Sequence, residues 1–314
     1  MRISGSKSAA GAAPDYAVSA FTQELTDELA REKYRPHAWQ TFLSRSWTRS
    51  LEDIRESRAR TRSFWSWAAI VAAAGAGIIL LALKFHSQEQ AITALVWWLP
   101  WYASAVFFVL THLGMAENNQ GASYHRLLLP NGLSFLRLAL APLILWPCLT
   151  IPVNPESGPI FALVLAGLSL SDLLDGWIAR RRKLCTRLGS MLDPLADLAL
   201  LTFLAVGLYL AGAIPGTLLW LLVVRYPLGV IGVIVLYFAR GPAPLSPTII
   251  GRTTTFVTNV LLLVIAFKIL LPTTWPPSVW IEWSLQCLCF LIAANILYLF
   301  YCGFSWAGHR NDPS

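Results

Sequence analysis

Residues 171–197 read SDLLDGWIARRRKLCTRLGSMLDPLAD: the end of one apolar run, a short basic loop, and the start of the next apolar run. Four carboxylates, Asp172, Asp175, Asp193 and Asp197, stand where a membrane-crossing helix should carry none. An ionisable residue in or at the edge of a span is costly to keep and marks a functional site by default. On a helix, positions i, i+3 and i+4 share a face. Asp172 and Asp175 therefore point one way on the first helix, and Asp193 and Asp197 point one way on the second. A connection this short favours antiparallel neighbours, and the four carboxylates then converge. Packed acids repel one another, and a bound divalent cation relieves the repulsion. Oxygen donors suit Mg²⁺, Mn²⁺ or Ca²⁺ better than zinc or copper, and four carboxylates suffice for two ions. Gly176, Ala179 and Gly189 keep the facing surfaces small enough for a ligand to lie close. Arg180, Arg181, Arg182, Lys183 and Arg187 add positive charge suited to a phosphate.

The rest of the chain is built for a membrane. Its 314 residues are 56% hydrophobic and only 13% charged, with a mean hydropathy of +0.56, which excludes an ordinary water-soluble globule. A spanning helix takes about 20 apolar residues. Eight runs qualify: 64–84, 91–113, 131–151, 158–179, 191–212, 216–238, 252–271 and 279–302, with Pro100 expected to kink the second. The expected fold class is all-α, a polytopic membrane protein of eight transmembrane helices. Residues 1–62 carry eleven Lys and Arg, which places the N-terminus on the cytoplasmic side. Alternation puts the 180–187 loop, the 239–252 loop and the C-terminus on that side too. The opposite connections, 152–157, 213–215 and 272–278, contain no Lys or Arg.

The net charge of +7, clustered at helix ends, suits anionic lipid headgroups. No nucleic acid partner is expected, because no large basic soluble domain is present. Trp39, Phe42, Leu43, Trp47, Leu51 and Ile54 fall on one helical face within 21–62, with arginines between them. That stripe lies on the membrane surface or packs into a core. The first 20 residues have no apolar core behind a basic start, so no secretory signal peptide is expected. Many of the 14 tryptophans fall at run ends, as an interfacial belt requires. No CxxC pair occurs among the five cysteines, and no histidine has a carboxylate or cysteine at ligand spacing.

The pattern Asp172-x2-Asp175-Gly176-x2-Ala179-Arg180-x8-Gly189-x3-Asp193-x3-Asp197 resembles, at all eight fixed positions, the signature of the CDP-alcohol phosphotransferases. By architecture the likeness extends over residues 125–305. It implies an interfacial segment 1–62, two added helices in 63–120, and a six-helix catalytic core in 121–314. It also implies transfer of a phosphatidyl group from CDP-diacylglycerol to a small alcohol, with release of CMP, in phospholipid biosynthesis. Mg²⁺ or Mn²⁺ would be held by Asp172, Asp175, Asp193 and Asp197. Gly176, Ala179, Arg180 and Gly189 would line the nucleotide, and Asp197 would act as general base. The implied setting is the cytoplasmic face of a bacterial inner membrane, and members of the family often assemble as homodimers.

Two further stretches belong to the core. Pro130-Asn131-Gly132-Leu133-Ser134-Phe135-Leu136-Arg137 opens its first helix, where Asn131 and Ser134 have the chemistry of caps. The family's similar start implies nucleotide contacts for Asn131, Ser134 and Arg137. Gly251-Arg252-Thr253-Thr254-Thr255 resembles a stretch of phosphatidylglycerophosphate synthase-like members. Arg225, inside the sixth run, is expensive unless it faces a partner or a wet cavity. By that resemblance Arg225 and Arg252 hold a phosphate on the acceptor. The plainer reading pairs Arg225 with an aspartate and makes Arg252 a boundary marker. Tyr226 follows Arg225 where those relatives have an acid, and Leu198 follows Asp197 where they commonly have Lys. The LDPLAD stretch ending at Asp197 is similar to the phosphatidylglycerophosphate and cardiolipin synthase branch. Glycerol 3-phosphate is therefore the leading acceptor, with inositol phosphate, serine and phosphatidylglycerol as alternatives. A transporter with a carboxylate ion pathway is the competing class, but it would scatter acids through several helices. Here all four sit in one stretch at one face. An inactive scaffold that kept the motif is the third reading.

Overall fold

The helix that carries Asn131, Ser134 and Arg137 is the axle of the molecule. The computed structural model describes residues 20–33, 35–85, 87–117, 124–150, 155–182, 184–232, 249–271 and 278–309. Their regular structure is helical throughout. The elements are α1 (Ala20–Arg31), α2 (Pro36–Glu56), α3 (Arg58–Phe85), α4 (Gln88–Thr111), α5 (Leu129–Leu140), α6 (Leu145–Thr150), α7 (Gly158–Arg181), α8 (Arg187–Leu210), α9 (Gly216–Arg225), α10 (Ile249–Leu270) and α11 (Ser278–His309). Among the described residues seven stretches are long and apolar enough to span a membrane. The expected 216–238 span is helical over Gly216–Gly232, and the rest of it lies outside the described residues. So do the tail before residue 20 and most of the 239–252 loop. α4 runs unbroken through Pro100.

Burial separates one span from the others. The stretch Leu129–Cys148 is 72% buried, against 22–44% for the other six. Those six turn large apolar side chains outward, Trp97, Leu163, Phe256 and Phe290 among them, as lipid-facing helices do. α5 packs most extensively on α8 and next on α7, while α7 and α8 make little direct contact with each other. The expected pairing of α7 with α8 is thereby corrected: a third helix is wedged between them. The connection is short, but the acids on both helices need a counter-charge, and α5 supplies it.

The ends of α5 follow from its sequence. Its N-cap is Leu128, with Pro130 in the first turn, so neither Asn131 nor Ser134 caps the helix as their chemistry suggested. At the other end Pro142 has no N–H, so the Leu138 carbonyl loses its partner four residues on. The chain tightens to a 3₁₀ turn over Ala141–Ile144. Indole N–H groups from α4 fill the gap: Trp101 donates to the Leu138 carbonyl at 2.8 Å and Trp98 to the Ala139 carbonyl at 3.0 Å. α8 closes with Gly212 at φ +72 and a 2.8 Å bond from the Ala213 N–H to the Leu208 carbonyl, the Schellman arrangement.

The N-terminal helices cover the outer face of this axle. Phe64 of α3 meets Phe135 of α5 with ring centroids 5.8 Å apart. The Trp67 indole lies on Gly132 so closely that a Cβ there would fall 2.2 Å from its ring. α2 and the first turn of α3 are clamped to the turn after α4. Arg60 donates to the Leu113 carbonyl at 3.0 Å, and a Cβ on Gly114 would fall 2.0 Å from Asp53 Oδ2. Burial pushes the Asp53 carboxyl above its ordinary range, against the pull of Arg49 and Arg60. The stripe on α2 is divided. Trp39 and Phe42 pack against each other in the small core that α2 shares with Leu29 of α1, while Leu43, Trp47 and Leu51 face outward.

Gly132→Ala should lower the thermal midpoint in detergent, since overpacking costs about 1–3 kcal/mol. Adding Trp67→Ala should remove most of that penalty. An equal penalty in both backgrounds would show that the α3–α5 contact is not what requires glycine.

Candidate active site

The site forms where the start of α5, the end of α7 and the start of α8 meet. Its centre is the Arg137 guanidinium, which is fully buried at 0% exposure. Nη1 stands 2.9 Å from Asp172 Oδ1 and 3.5 Å from Asp175 Oδ2, and Nη2 stands 3.0 Å from Asp197 Oδ1. These are ion pairs by distance and not aligned hydrogen bonds, for all three guanidinium nitrogens lack a hydrogen-bond partner among the described residues. The fourth acid is tied in one turn earlier on α5. Ser134 Oγ is 3.2 Å from Asp175 Oδ2, 3.0 Å from the Pro130 carbonyl and in hydrogen-bond contact with Asp193 Oδ1. A hydroxyl has one proton and serves one of these acceptors at a time.

The carboxylates differ in access. Asp175 is 3% exposed, whereas Asp172 and Asp197 are 46% and 48% exposed. One pair of acids therefore looks out of the bundle from either side of a buried cation, and Asp175 backs them. Ser171, just before the first acid, is buried and donates to the Leu168 carbonyl at 2.7 Å.

The small residues of the signature have structural causes. Thr186 is the N-cap of α8: its hydroxyl accepts from the Gly189 N–H at 2.9 Å and donates to Asn131 Oδ1 at 3.0 Å. A Cβ on Gly189 would fall 2.8 Å from Asn131 Oδ1, so glycine is what lets α5 and α8 close here. The buried Asn131 Nδ2 has no partner among the described residues. Gly176 lies under the Arg180 guanidinium, where a Cβ would be 3.0 Å from Nη1. Ala179 is half-buried on the same helix, and its carbonyl accepts from the Leu184 N–H at 2.9 Å, closing the basic loop. The first turn of α8 is also held from outside the core, by the Arg187 N–H donating to the Glu117 carbonyl at 3.2 Å.

Arg225 is engaged elsewhere. Nη1 donates to Asn295 Oδ1 on α11, and Nη2 donates to the Gly251 carbonyl at 3.0 Å and reaches Thr255 Oγ1 at 3.3 Å. Its ring neighbour is Tyr226, 5.2 Å away. The reading that paired Arg225 with an aspartate is therefore corrected: its partners are neutral oxygens. Arg252, next to Gly251, is exposed.

Sequence reasoning named Arg137 only as a nucleotide contact and missed its place among the acids, and it missed the cap at Thr186 and the partners of Arg225. The cost argument that singled out Arg225 applies equally to Arg137, an arginine in an apolar helix that must have acids within reach. Thr186 carries a recognisable signal, a threonine three residues before the signature glycine. Thr255 ends the Gly251–Thr255 stretch noted in the sequence, whereas Asn295 carries no signal that distinguishes it from other polar residues in spans.

No three acidic, histidine or cysteine side chains among the described residues stand together at metal-ligating positions. The donor chemistry fits a hard divalent cation all the same. It is all oxygen, it comes from four carboxylates gathered by Arg137 and Ser134, and acceptors outnumber protons around Ser134.

The stretch of chain that carries these residues is similar to known proteins. A family model described as CDP-alcohol phosphatidyltransferase matches residues 127–294, just over half the chain. A cardiolipin synthase (CMP-forming) from Rattus norvegicus is 30% identical over 192 residues, covering 56% of this chain and 61% of that protein. One of the same name from Streptomyces coelicolor is 37% identical over 131 residues, covering 41% of this chain and 60% of that protein. A CDP-diacylglycerol–glycerol-3-phosphate 3-phosphatidyltransferase from Rickettsia bellii is 43% identical over 70 residues, covering 22% of this chain and 37% of that protein. The matched part is thus about three fifths of the first of these relatives. No solved structure matches significantly.

Replacing Arg137 should be costly. Arg137→Gln leaves Asp175 buried without its cation, and we expect a loss of about 3 kcal/mol, the low end for a broken buried pair because two of the carboxylates are half-exposed. Arg137→Lys should lie between it and wild type, since an ammonium cannot span both acids as a planar fork does. Thermal unfolding of the three proteins in one detergent gives the order, and equal midpoints would remove Arg137 from the centre of the site.

Proposed function

This chain belongs to the CDP-alcohol phosphatidyltransferase family, and we propose that it transfers a phosphatidyl group from CDP-diacylglycerol to an alcohol, releasing CMP. The observation that carries this reading is the gathering of all four signature aspartates around one end of α5. Phosphatidylglycerol is the acceptor we favour. Relatives named cardiolipin synthase (CMP-forming) align over the longer stretches. Cardiolipin carries two phosphatidyl groups on one glycerol, so a reaction that brings one of them with loss of CMP must find the other on the acceptor. Arg225, spent on Asn295, Gly251 and Thr255, offers little to a phosphate on a soluble acceptor. Glycerol 3-phosphate, the leading acceptor by motif, is kept as the second reading on the strength of the 43% identical relative.

In the proposed reaction the acceptor hydroxyl attacks the lipid-side phosphorus. A new P–O bond forms, the P–O bond to the CMP phosphate breaks, and the acceptor proton passes to Asp197. Asp197 suits this role because its carboxylate is half-exposed and oriented by Arg137. Asp175 is too deeply buried to meet an acceptor directly. Asp172, Asp175, Asp193 and Asp197 would hold Mg²⁺ or Mn²⁺, which when bound screens the pyrophosphate and stabilises the leaving phosphate. Ser134 holds the carboxylates of Asp175 and Asp193 on the inner side. Gly176, Ala179, Arg180 and Gly189 line the nucleotide side, where Arg180 supplies positive charge. Asn131 sets the first turn of α8 through Thr186. The basic N-terminal segment supports a site at the cytoplasmic face.

CMP release by full-length protein in detergent, with CDP-diacylglycerol and Mg²⁺ or Mn²⁺, tests the reaction and its acceptor together. Release that depends on phosphatidylglycerol supports the favoured reading, and release only with glycerol 3-phosphate reverses the choice of acceptor. No release with any alcohol would overturn the transferase reading. Asp197→Asn should keep CDP-diacylglycerol binding and cut turnover by at least about 100-fold, the usual scale for a lost general base. Full turnover in that variant would remove Asp197 from the role.

A further inference from the structure

Outside residues 127–294, the corner between α2 and α3 forms an open groove of about 710 Å³ lined by Ile54, Arg55, Arg58, Thr61, Arg62 and Trp65. The corner is firmly built. Only Ser57 separates the two helices, its N–H donates to the Asp53 carbonyl at 3.2 Å, and the Thr61 hydroxyl donates to the Ile54 carbonyl at 3.0 Å. The groove carries three exposed arginines, Arg55, Arg58 and Arg62, and none of their guanidinium groups makes an ion pair or hydrogen bond among the described residues. Arg45, Arg49 and Arg60 of the same two helices are used. Arg45 pairs with Glu24 and Glu28, Arg49 with Glu52 and Asp53, and Arg60 with the Leu113 carbonyl. Glu56, next to Arg55 in the chain, pairs with none of the three. Three unpaired guanidinium groups around one groove are complementary to a phosphate.

The surroundings identify the source of that phosphate. Trp65 is 51% exposed where α3 begins its passage through the membrane, the level at which tryptophan marks the headgroup layer. Along α2, Leu43, Trp47 and Leu51 form an outward apolar stripe. Trp47 touches Phe107 with ring centroids 5.8 Å apart, and Phe107 is a 55% exposed residue of the spanning helix α4. The stripe is therefore continuous with the lipid-facing surface, and α2 lies along the bilayer with the groove at headgroup depth.

We propose that Arg55, Arg58 and Arg62, beside Trp65, bind the headgroup phosphate of an anionic phospholipid. The site is separate from the four aspartates and needs neither CDP-diacylglycerol nor an acceptor.

Full-length protein in neutral detergent, titrated with phosphatidylserine and followed by native mass spectrometry, tests this. Phosphatidylserine is neither the donor nor an acceptor proposed above, so the result does not depend on the reaction. The triple variant Arg55→Gln, Arg58→Gln, Arg62→Gln should bind it about 100-fold more weakly than wild type, at roughly fivefold per arginine near an anionic headgroup. Arg58→Gln alone should lose about fivefold by the same measure. The corresponding triple lysine variant should keep most of the affinity. Phosphatidylcholine should bind wild type and the triple glutamine variant alike, and millimolar inorganic phosphate should not displace phosphatidylserine. Equal phosphatidylserine affinity in wild type and the triple glutamine variant would overturn the proposal. So would an equal loss of phosphatidylcholine, which would make the groove indifferent to headgroup charge, or displacement by inorganic phosphate, which would make it a site for soluble anions.

Discussion

A buried guanidinium surrounded by carboxylates sets the terms for the rest of this structure. Charge inside a membrane protein is tolerable only in company, because its desolvation far exceeds what packing returns. α7 and α8 each bring two acids to the same level of the bilayer. Pressed directly together, they would repel. Arg137 lets them share a site by standing between them, and that requires α5 to occupy the centre of the bundle. The polar residues of α5 follow from that position: Asn131 reaches the cap of α8, and Ser134 reaches an acid on each flanking helix.

A central helix needs cover on every side. In this chain the cover on one side comes from α3 and α4, which lie outside the part of the sequence the family model matches. They do more than exclude lipid. Trp101 satisfies the Leu138 carbonyl that Pro142 strips of its partner, Trp98 donates to the Ala139 carbonyl beside it, and Trp67 lies in the gap that Gly132 leaves. The tightness of α5 therefore depends on residues outside the part of the chain that the family model matches.

Arg225 repeats the solution with different chemistry. It too is an arginine in an apolar helix, but it is satisfied by an amide, a carbonyl and a hydroxyl from α10 and α11. Neutral partners hold a cation without gathering acids, so this arrangement ties three helices together where the Arg137 arrangement draws four carboxylates to one place. The unpaired arginines of the α2–α3 corner are a third case. They are exposed, cost little in the protein alone, and stay available to a partner outside it.

Much was legible from the residues alone. Hydropathy and run length marked the spans, because a bilayer demands about 20 apolar residues whatever the fold. The eight-residue signature marked the acids and the family, because chemistry on a phosphate needs those groups at fixed helical spacing. What spacing along the chain could not supply was the neighbour relations of the helices. Asp172 and Asp197 lie within one stretch of sequence, yet what brings them together is Arg137, 35 residues before the first of them. That Asn131 and Ser134 cross to other helices instead of capping their own, and that Arg225 finds neutral partners, depended on the same packing. Periodicity determines which face of a helix is polar, while only the assembled bundle determines what that face meets.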